Sequence, residues 1–374
     1  MKPCLFLLSL LFVTSCAFSQ DNGNFGDIDR RALEIPLAET YSTTSIAGFI
    51  ISNFKADKEK LRAIYTWITT NIRYDADSMY IINSEKDPEA RIREALRRRK
   101  GVCENYAAIF NDIAVKCKLA SYLVSGYTRQ LGNIDRAGHT WIAVYLDKEW
   151  SFCDPTWDEG NRGGSRWFLV QPSRFIESHM PFDPLWQLLE YPVSHKDFYK
   201  GNFFPKKEKP GYNFSDSVNQ YLRLNQLQQL EAAAARIEKA GLANQLIINQ
   251  LAFIRMQAAI IYEEKDMKCY NAAVNDFNNA NTILNQFILY RNNGFIPAKS
   301  DAAISSMLNP IDSILETAYK RIDTMAASAT NLQYDPGLLK NRFLQLEEKL
   351  KEQKDFVKKW LATAPALRTD LFYK

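Results

Sequence analysis

The stretch Gly101-Val102-Cys103-Glu104-Asn105-Tyr106-Ala107 decides how this chain is read, because it closes a basic helical segment and opens a strongly helical one. A glycine after a last basic turn, here Arg97-Arg98-Arg99-Lys100, is a helix stop, and the basic run reads as cations at the end of that helix. From Cys103 onward, Ala107, Phe110, Ala114 and Cys117 recur at intervals of four, three, four and three, a single stripe on a helix that runs to about Leu119. Cys103 therefore stands at a helix start, where unpaired N–H groups and the positive end of the helix dipole favour a thiolate. A nucleophilic cysteine needs a histidine to activate it and a third group to orient that histidine. The chain has 3 histidines from which to choose.

On the N-terminal side, Ile46 to Ile51 is apolar and Asp57 to Asn71 has helical spacing, with Leu61, Ile64, Tyr65 and Ile68 on one face and Trp67 beside them. Glu89 to Arg99 reads as a further helix. On the C-terminal side come three strand-like runs, Ser121 to Tyr127, Thr140 to Leu146 and Trp150 to Cys153, with Trp167 to Val170 as a fourth. If Leu146 and Glu149 flank a two-residue turn, antiparallel pairing sets His139 opposite Thr156 and diagonal to Asp154. Diagonal neighbours lie within side-chain reach, so His139 and Asp154 are expected to meet at the open end of the hairpin. Pro172-Ser173 starts a short helix, and the proline-rich stretch to Trp186 is expected to wrap without regular structure.

Cys103, His139 and Asp154 suit the roles of nucleophile, general base and then acid, and imidazole orienter in acyl transfer. The N–H of Cys103 is a candidate oxyanion donor, with Trp67 and Tyr74 as candidates for the second. Cys117 lies about 20 Å along the helix from Cys103, beyond disulfide reach, and reads as core. Cys153 should point away from Asp154 on its strand and reads as core too. His179 and His195 have no acidic or cysteine partner at a telling spacing and read as structural or surface residues.

These motifs, Gly101 to Ala107, Gly138-His139-Thr140-Trp141 and Trp150 through Cys153-Asp154-Pro155-Thr156-Trp157, resemble the transglutaminase-like superfamily over roughly residues 45–200. The Asp-Pro-Thr-Trp signature and the later Ser178-His179-Met180-Pro181 to Trp186-Gln187-Leu188-Leu189 are similar to its kyphoscoliosis-peptidase-like members. The resemblance implies an α+β class with a papain-like or transglutaminase-like core, the Cys103 helix packed on an antiparallel sheet carrying His139 and Asp154. Asn105 stands where glycine is frequent in that family and Thr140 where alanine is frequent. Neither departure removes a catalytic group, and asparagine covers part of glycine's conformational range.

At 374 residues the chain is long enough for two domains. The apolar run Leu5 to Val13 after Met1-Lys2, with Ala17-Phe18-Ser19 behind it, reads as a signal peptide over residues 1–19 that releases the chain at Gln20. Val13-Thr14-Ser15-Cys16 also resembles a lipobox, which would make Cys16 a lipid anchor. Both alternatives place the protein outside the cytoplasm, periplasmic, extracellular or as an outer-membrane lipoprotein. A transglutaminase-like domain is expected over 20–205. Beyond the lysines and prolines of 205–210, residues 206–374 turn rich in Ala, Leu, Gln, Asn and Lys and read as an all-α helical bundle domain. Its expected helices are 215–239, 243–289 with a break near Lys265, 299–329 and 335–362.

A net charge of +4, from 47 basic and 43 acidic residues, argues against a nucleic-acid partner. The apolar leader is too short to be a transmembrane helix. No CxxC or Cys/His cluster has metal-ligand spacing, so no metal and no cofactor are expected. Asp21 to Asp29 lacks the pattern of a calcium loop, which favours hydrolysis over calcium-dependent cross-linking. The expectation is an exported cysteine protease or amidase acting on a protein or peptide substrate, cell-wall peptide included. The alternatives are a non-catalytic binding module and an amine-accepting transglutaminase.

Overall fold

Helix starts along the chain are set by short polar side chains and prolines, and these partition it closely. A computed structural model describes residues 25–78, 87–161, 164–204, 211–325 and 334–372. The leader 1–19, Cys16 and the 205–210 stretch lie outside the described residues. Helices α1 (Gly26–Ala32), α2 (Thr43–Asn53) and α3 (Asp57–Asn71) lead to a short strand β1 (Arg73–Tyr74). Then come α4 (Pro88–Arg98), β2 (Lys100–Gly101) and α5 (Cys103–Lys116). Ser42 caps α2 through its side chain, and Asp87 with Pro88 opens α4.

Four strands form one antiparallel sheet: β3 (Ala120–Gln130), β4 (Asn133–Leu146), β5 (Glu149–Cys153) and, after the short helix α6 (Pro172–Phe175), β6 (His179–Pro181). Their order is β5-β4-β3-β6. The hairpin register is the expected one, with Leu146 opposite Glu149 and Ile142 opposite Cys153. Asp147 and Lys148 both take positive φ, 52° and 69°, so the two-residue turn has the hand that suits twisted strands. Trp167 to Val170 is not a strand; only Val170 bridges to Phe152. The stretch expected to wrap contains β6, whose His179 pairs with Thr128 and Pro181 with Gly126.

Alternation along β4 separates two cores. Ile142 and Val144 join α2, α3 and α5 in one cluster, where Ala107, Phe110 and Ala114 of the Cys103 stripe are buried as the spacing predicts. Trp141 and Ala143 face the other way, packing with Phe152, Phe175, Leu185 and Trp186. Cys117 and Cys153 are buried, and the described cysteines are all free thiols.

Beyond α7 (His195–Lys200), the remaining helices are α8 (Phe214–Leu222), α9 (Gln226–Ala240), α10 (Gln245–Asn292), α11 (Asp301–Ser306), α12 (Asn309–Asp323) and α13 (Pro336–Ala362). By contacts the chain divides into two compact units, 1–252 and 253–374. The helices α8 and α9 thus belong to the first unit: Val218 joins the Trp186 cluster, and Arg236 forks onto Asp183 at 2.8 and 2.7 Å. The expected 215–239 helix is two, split at 223–225. The break expected near Lys265 is absent, because nothing in α10 interrupts helix-compatible residues there. In the second unit Leu284 and Phe287 of α10 pack with Ile311 and Leu315 of α12 and with Phe343 and Leu346 of α13, a helical bundle.

Candidate active site

Cys103 is the first residue of α5 and half-buried. As such its N–H has no acceptor within the helix. Asn105 Oδ1 accepts from the N–H of Val102 at 3.0 Å, closing the start of the helix. The asparagine thus serves as a cap, not as a stand-in for glycine's flexibility. Gly101 makes room for it: a Cβ there would stand 2.6 Å from Asn105 Cβ.

His139 lies on β4 beside Gly126, and Asp154 follows directly on β5. Their side chains meet as expected, with Nε2 of His139 2.7 Å from Oδ2 of Asp154. Asp154 is fully buried, and its Oδ1 accepts the Thr156 N–H at 2.9 Å. With Nε2 committed to the carboxylate, Nδ1 is the nitrogen left to the Cys103 sulfur, an assignment made from the bonding pattern.

Burial, the largest single effect on His139, pulls its pKa down, but the Asp154 carboxylate and the nearby Cys103 side chain outweigh it and raise it to about 10. Burial likewise pushes Asp154 up, yet the charge and hydrogen bond of His139, then His179, hold it well below the usual carboxylate range.

His179 was not legible as a site residue. It is fully buried, and its Nε2 lies 3.1 Å from the same Asp154 Oδ2. Nδ1 lies 2.8 Å from Ser178 Oγ, and Phe175 stacks on the ring at 3.9 Å. The available signal was its place in the Ser178-His179-Met180-Pro181 run that resembles the kyphoscoliosis-peptidase-like members. Burial, foremost, pulls the His179 pKa down to about 4, so the ring is neutral near pH 7. His195 stands elsewhere, its Nδ1 2.8 Å from the Tyr127 hydroxyl.

Of the two further oxyanion candidates, Trp67 is 1% exposed in the first core with the Arg99 guanidinium 5.2 Å over its ring. That position keeps its indole away from solvent. Tyr74 pairs with Gly101, two residues before Cys103, and is half-buried. Ligand-type atoms of His139, Asp154 and His179 lie within 4.8 Å of one another, and the hydrogen bonds among them account for that closeness without an ion.

A helix opening on a half-buried cysteine, against an antiparallel sheet that presents a histidine bonded to a buried aspartate, defines the class of papain-like thiol folds. The model of the transglutaminase-like superfamily matches residues 44–155, which hold α2 to β5 and all three of these side chains. Through this domain the chain is similar to that superfamily. Kyphoscoliosis peptidase of Mus musculus is 31% identical over 204 residues, 49% of this chain and 30% of its own length. The Homo sapiens protein of that name is 31% identical over 42% of this chain and 26% of its own. Hillarin of Drosophila melanogaster is 23% identical over 46% of this chain and 24% of its own. The chain thus spans under a third of the curated relatives it matches. A solved structure titled "Crystal structure of a TGase" covers 38% of this chain at 17% identity and a TM-score of 0.23, too low to carry any argument.

Proposed function

We propose that this chain is an exported thiol-dependent acyl-transfer enzyme, a cysteine protease or amidase that hydrolyses peptide or other amide bonds through Cys103, His139 and Asp154. The observation that carries the reading is a helix-start cysteine beside a histidine whose far nitrogen is held by a buried carboxylate. In this reading the Cys103 sulfur attacks the amide carbonyl as a thiolate, its proton resting on His139. The oxyanion that forms is met by the Cys103 N–H. His139 passes its proton to the leaving amine, the C–N bond breaks and a thioester remains. The now neutral ring takes a proton from water, hydroxide adds to the thioester, the C–S bond breaks, and the acid leaves.

Water as the acceptor, not an amine, is favoured because the sequence offers no calcium loop. The leader supports export, with a periplasmic or extracellular site of action, soluble or anchored at Cys16. A protein or peptide, cell-wall peptide among them, is the proposed substrate class. The test is activity-based profiling with a thiol-reactive probe and a peptide-amide library, wild type against Cys103→Ala. The expected result is labelling and turnover in the wild type alone. Equal turnover by the variant would end the proposal.

A further inference from the structure

His179 shares an oxygen with the catalytic pair yet has no part in the mechanism above. Its surroundings are unusually complete. Phe175 stacks on the ring at 3.9 Å with an interplanar angle of 21°. Trp157, Trp167 and Trp141 stand at 4.3, 5.1 and 5.2 Å from it. The strand that carries it, β6, is three residues long and ends on Pro181, which cannot donate to a ladder. Such a strand adds little to the sheet beyond seating His179 and Met180.

The bonding pattern fixes the ring's tautomer. A carboxylate can only accept, so Nε2 of His179 carries the proton that it gives to Asp154, and Nδ1 accepts from the Ser178 hydroxyl. Oδ2 of Asp154 then receives two imidazole N–H groups, while Oδ1 holds the Thr156 N–H. A neutral donor on Oδ2 draws off part of the negative potential that His139 would otherwise feel. The charged or titratable groups acting on these two rings are Asp154, Cys103, Asp135 on β4 and the rings themselves.

We propose that His179 is a positioning residue of the Cys103 site: seated by Ser178 and the aromatic cage, it fixes the Asp154 carboxylate and limits how much of its charge reaches His139. The inference rests on the thiol-enzyme reading. It predicts that a ring without a donor at residue 179 strengthens the hold of Asp154 on the His139 proton.

The test is the pH profile of Cys103 alkylation by iodoacetate in the full chain, followed by mass spectrometry of the Cys103 peptide. Iodoacetate is an anion, so its rate falls as the His139 imidazolium loses its proton, which gives an alkaline limb. His179→Phe should move that limb up by about one pH unit. His179→Gln, which keeps a donor, should leave it at the wild-type position. A purely structural role would lower stability in both variants and move the limb in neither, and that result in folded variants would overturn the inference. If His179→Phe does not fold, imidazole nitrogen NMR on the wild type decides. A neutral Nε2–H tautomer at pH 7 supports the proposal, and an imidazolium or an Nδ1–H tautomer overturns it. An unreactive Cys103 in the wild type would sink the thiol-enzyme reading itself, whereas a reactive Cys103 with an unmoved limb would sink only the role of His179.

Discussion

Gly126 stands directly opposite His139 in the sheet, and on its other side it pairs with Pro181 of β6. A Cβ at Gly126 would lie 2.2 Å from the Met180 carbonyl oxygen and 2.4 Å from Cη2 of Trp141. Both obstacles are rigid, one a backbone group and the other a fully buried ring. Gly126→Ala must therefore push β6 away from β3, carrying His179 off Asp154. The expected cost is about 2–3 kcal/mol in urea denaturation, together with slower alkylation of Cys103. Wild-type stability and reactivity in this variant would show that the close approach has no consequence for the site.

Asp154→Asn separates the charge of the carboxylate from its shape. The amide has one acceptor oxygen for two imidazole donors, and its NH2 must face a group that also donates. Loss of the proposed activity by about three orders of magnitude is expected from the lost tautomer control and imidazolium stabilisation. The thiol should still be present by mass, so the deficit lies in reactivity rather than folding. Circular dichroism beside the kinetics checks this, and turnover within tenfold of wild type would contradict the assigned role.

The hairpin that joins His139 to Asp154 was readable because its register depends on a local feature, a polar two-residue turn between two runs of strand-forming residues. The α5 stripe was readable for the same reason, its period being written in Cys103, Ala107, Phe110 and Ala114. β6 was not, since three residues between Ser178 and Phe182 carry no alternation and are specified by what surrounds them. Gly126, Trp141, Trp157 and Asp154 are all distant in sequence from His179, so a local reading found no acidic partner for it. The fate of α8 and α9 was hidden likewise. Their helical pattern was plain, but Val218 and Arg236 find their partners at Trp186 and Asp183 only in three dimensions.

That last contact carries a prediction about where the first unit ends. Arg236 makes two charge-assisted bonds to Asp183, and Tyr221 packs edge-on to Trp186 at 6.0 Å. Fragment 20–205 loses this cover and leaves Leu185 and Trp186 open to water. It should aggregate or bind a hydrophobic dye, whereas fragment 20–242 should stay monomeric by size-exclusion chromatography. In the full chain, Arg236→Ala should lower stability by about 2–3 kcal/mol, as it strands a largely buried carboxylate. Equal solubility of the two fragments would place the boundary at 205.

The three histidines pull stability in opposite directions with pH. His139 has a folded pKa raised to about 10, so the stability it contributes is fully present below its unfolded value near 6.5 and is lost as pH rises toward 10. His179 and His195 have folded pKa values lowered to about 4, mainly by burial, so the unfolded chain binds their protons first and stability falls as pH drops from about 6.5 to 4. The sum is a maximum near pH 6.5, with each histidine giving a slope of at most about 1.4 kcal/mol per pH unit on its own side. His195 offers the cleanest check, because it lies outside the Asp154 cluster, its Nδ1 bonded to the Tyr127 hydroxyl. His195→Gln should reduce the stability difference between pH 6.5 and pH 4.5 by about 2 kcal/mol, read from urea midpoints at the two pH values. An unchanged difference would mean that His195 is protonated in the folded chain, which its burial against Tyr127 opposes.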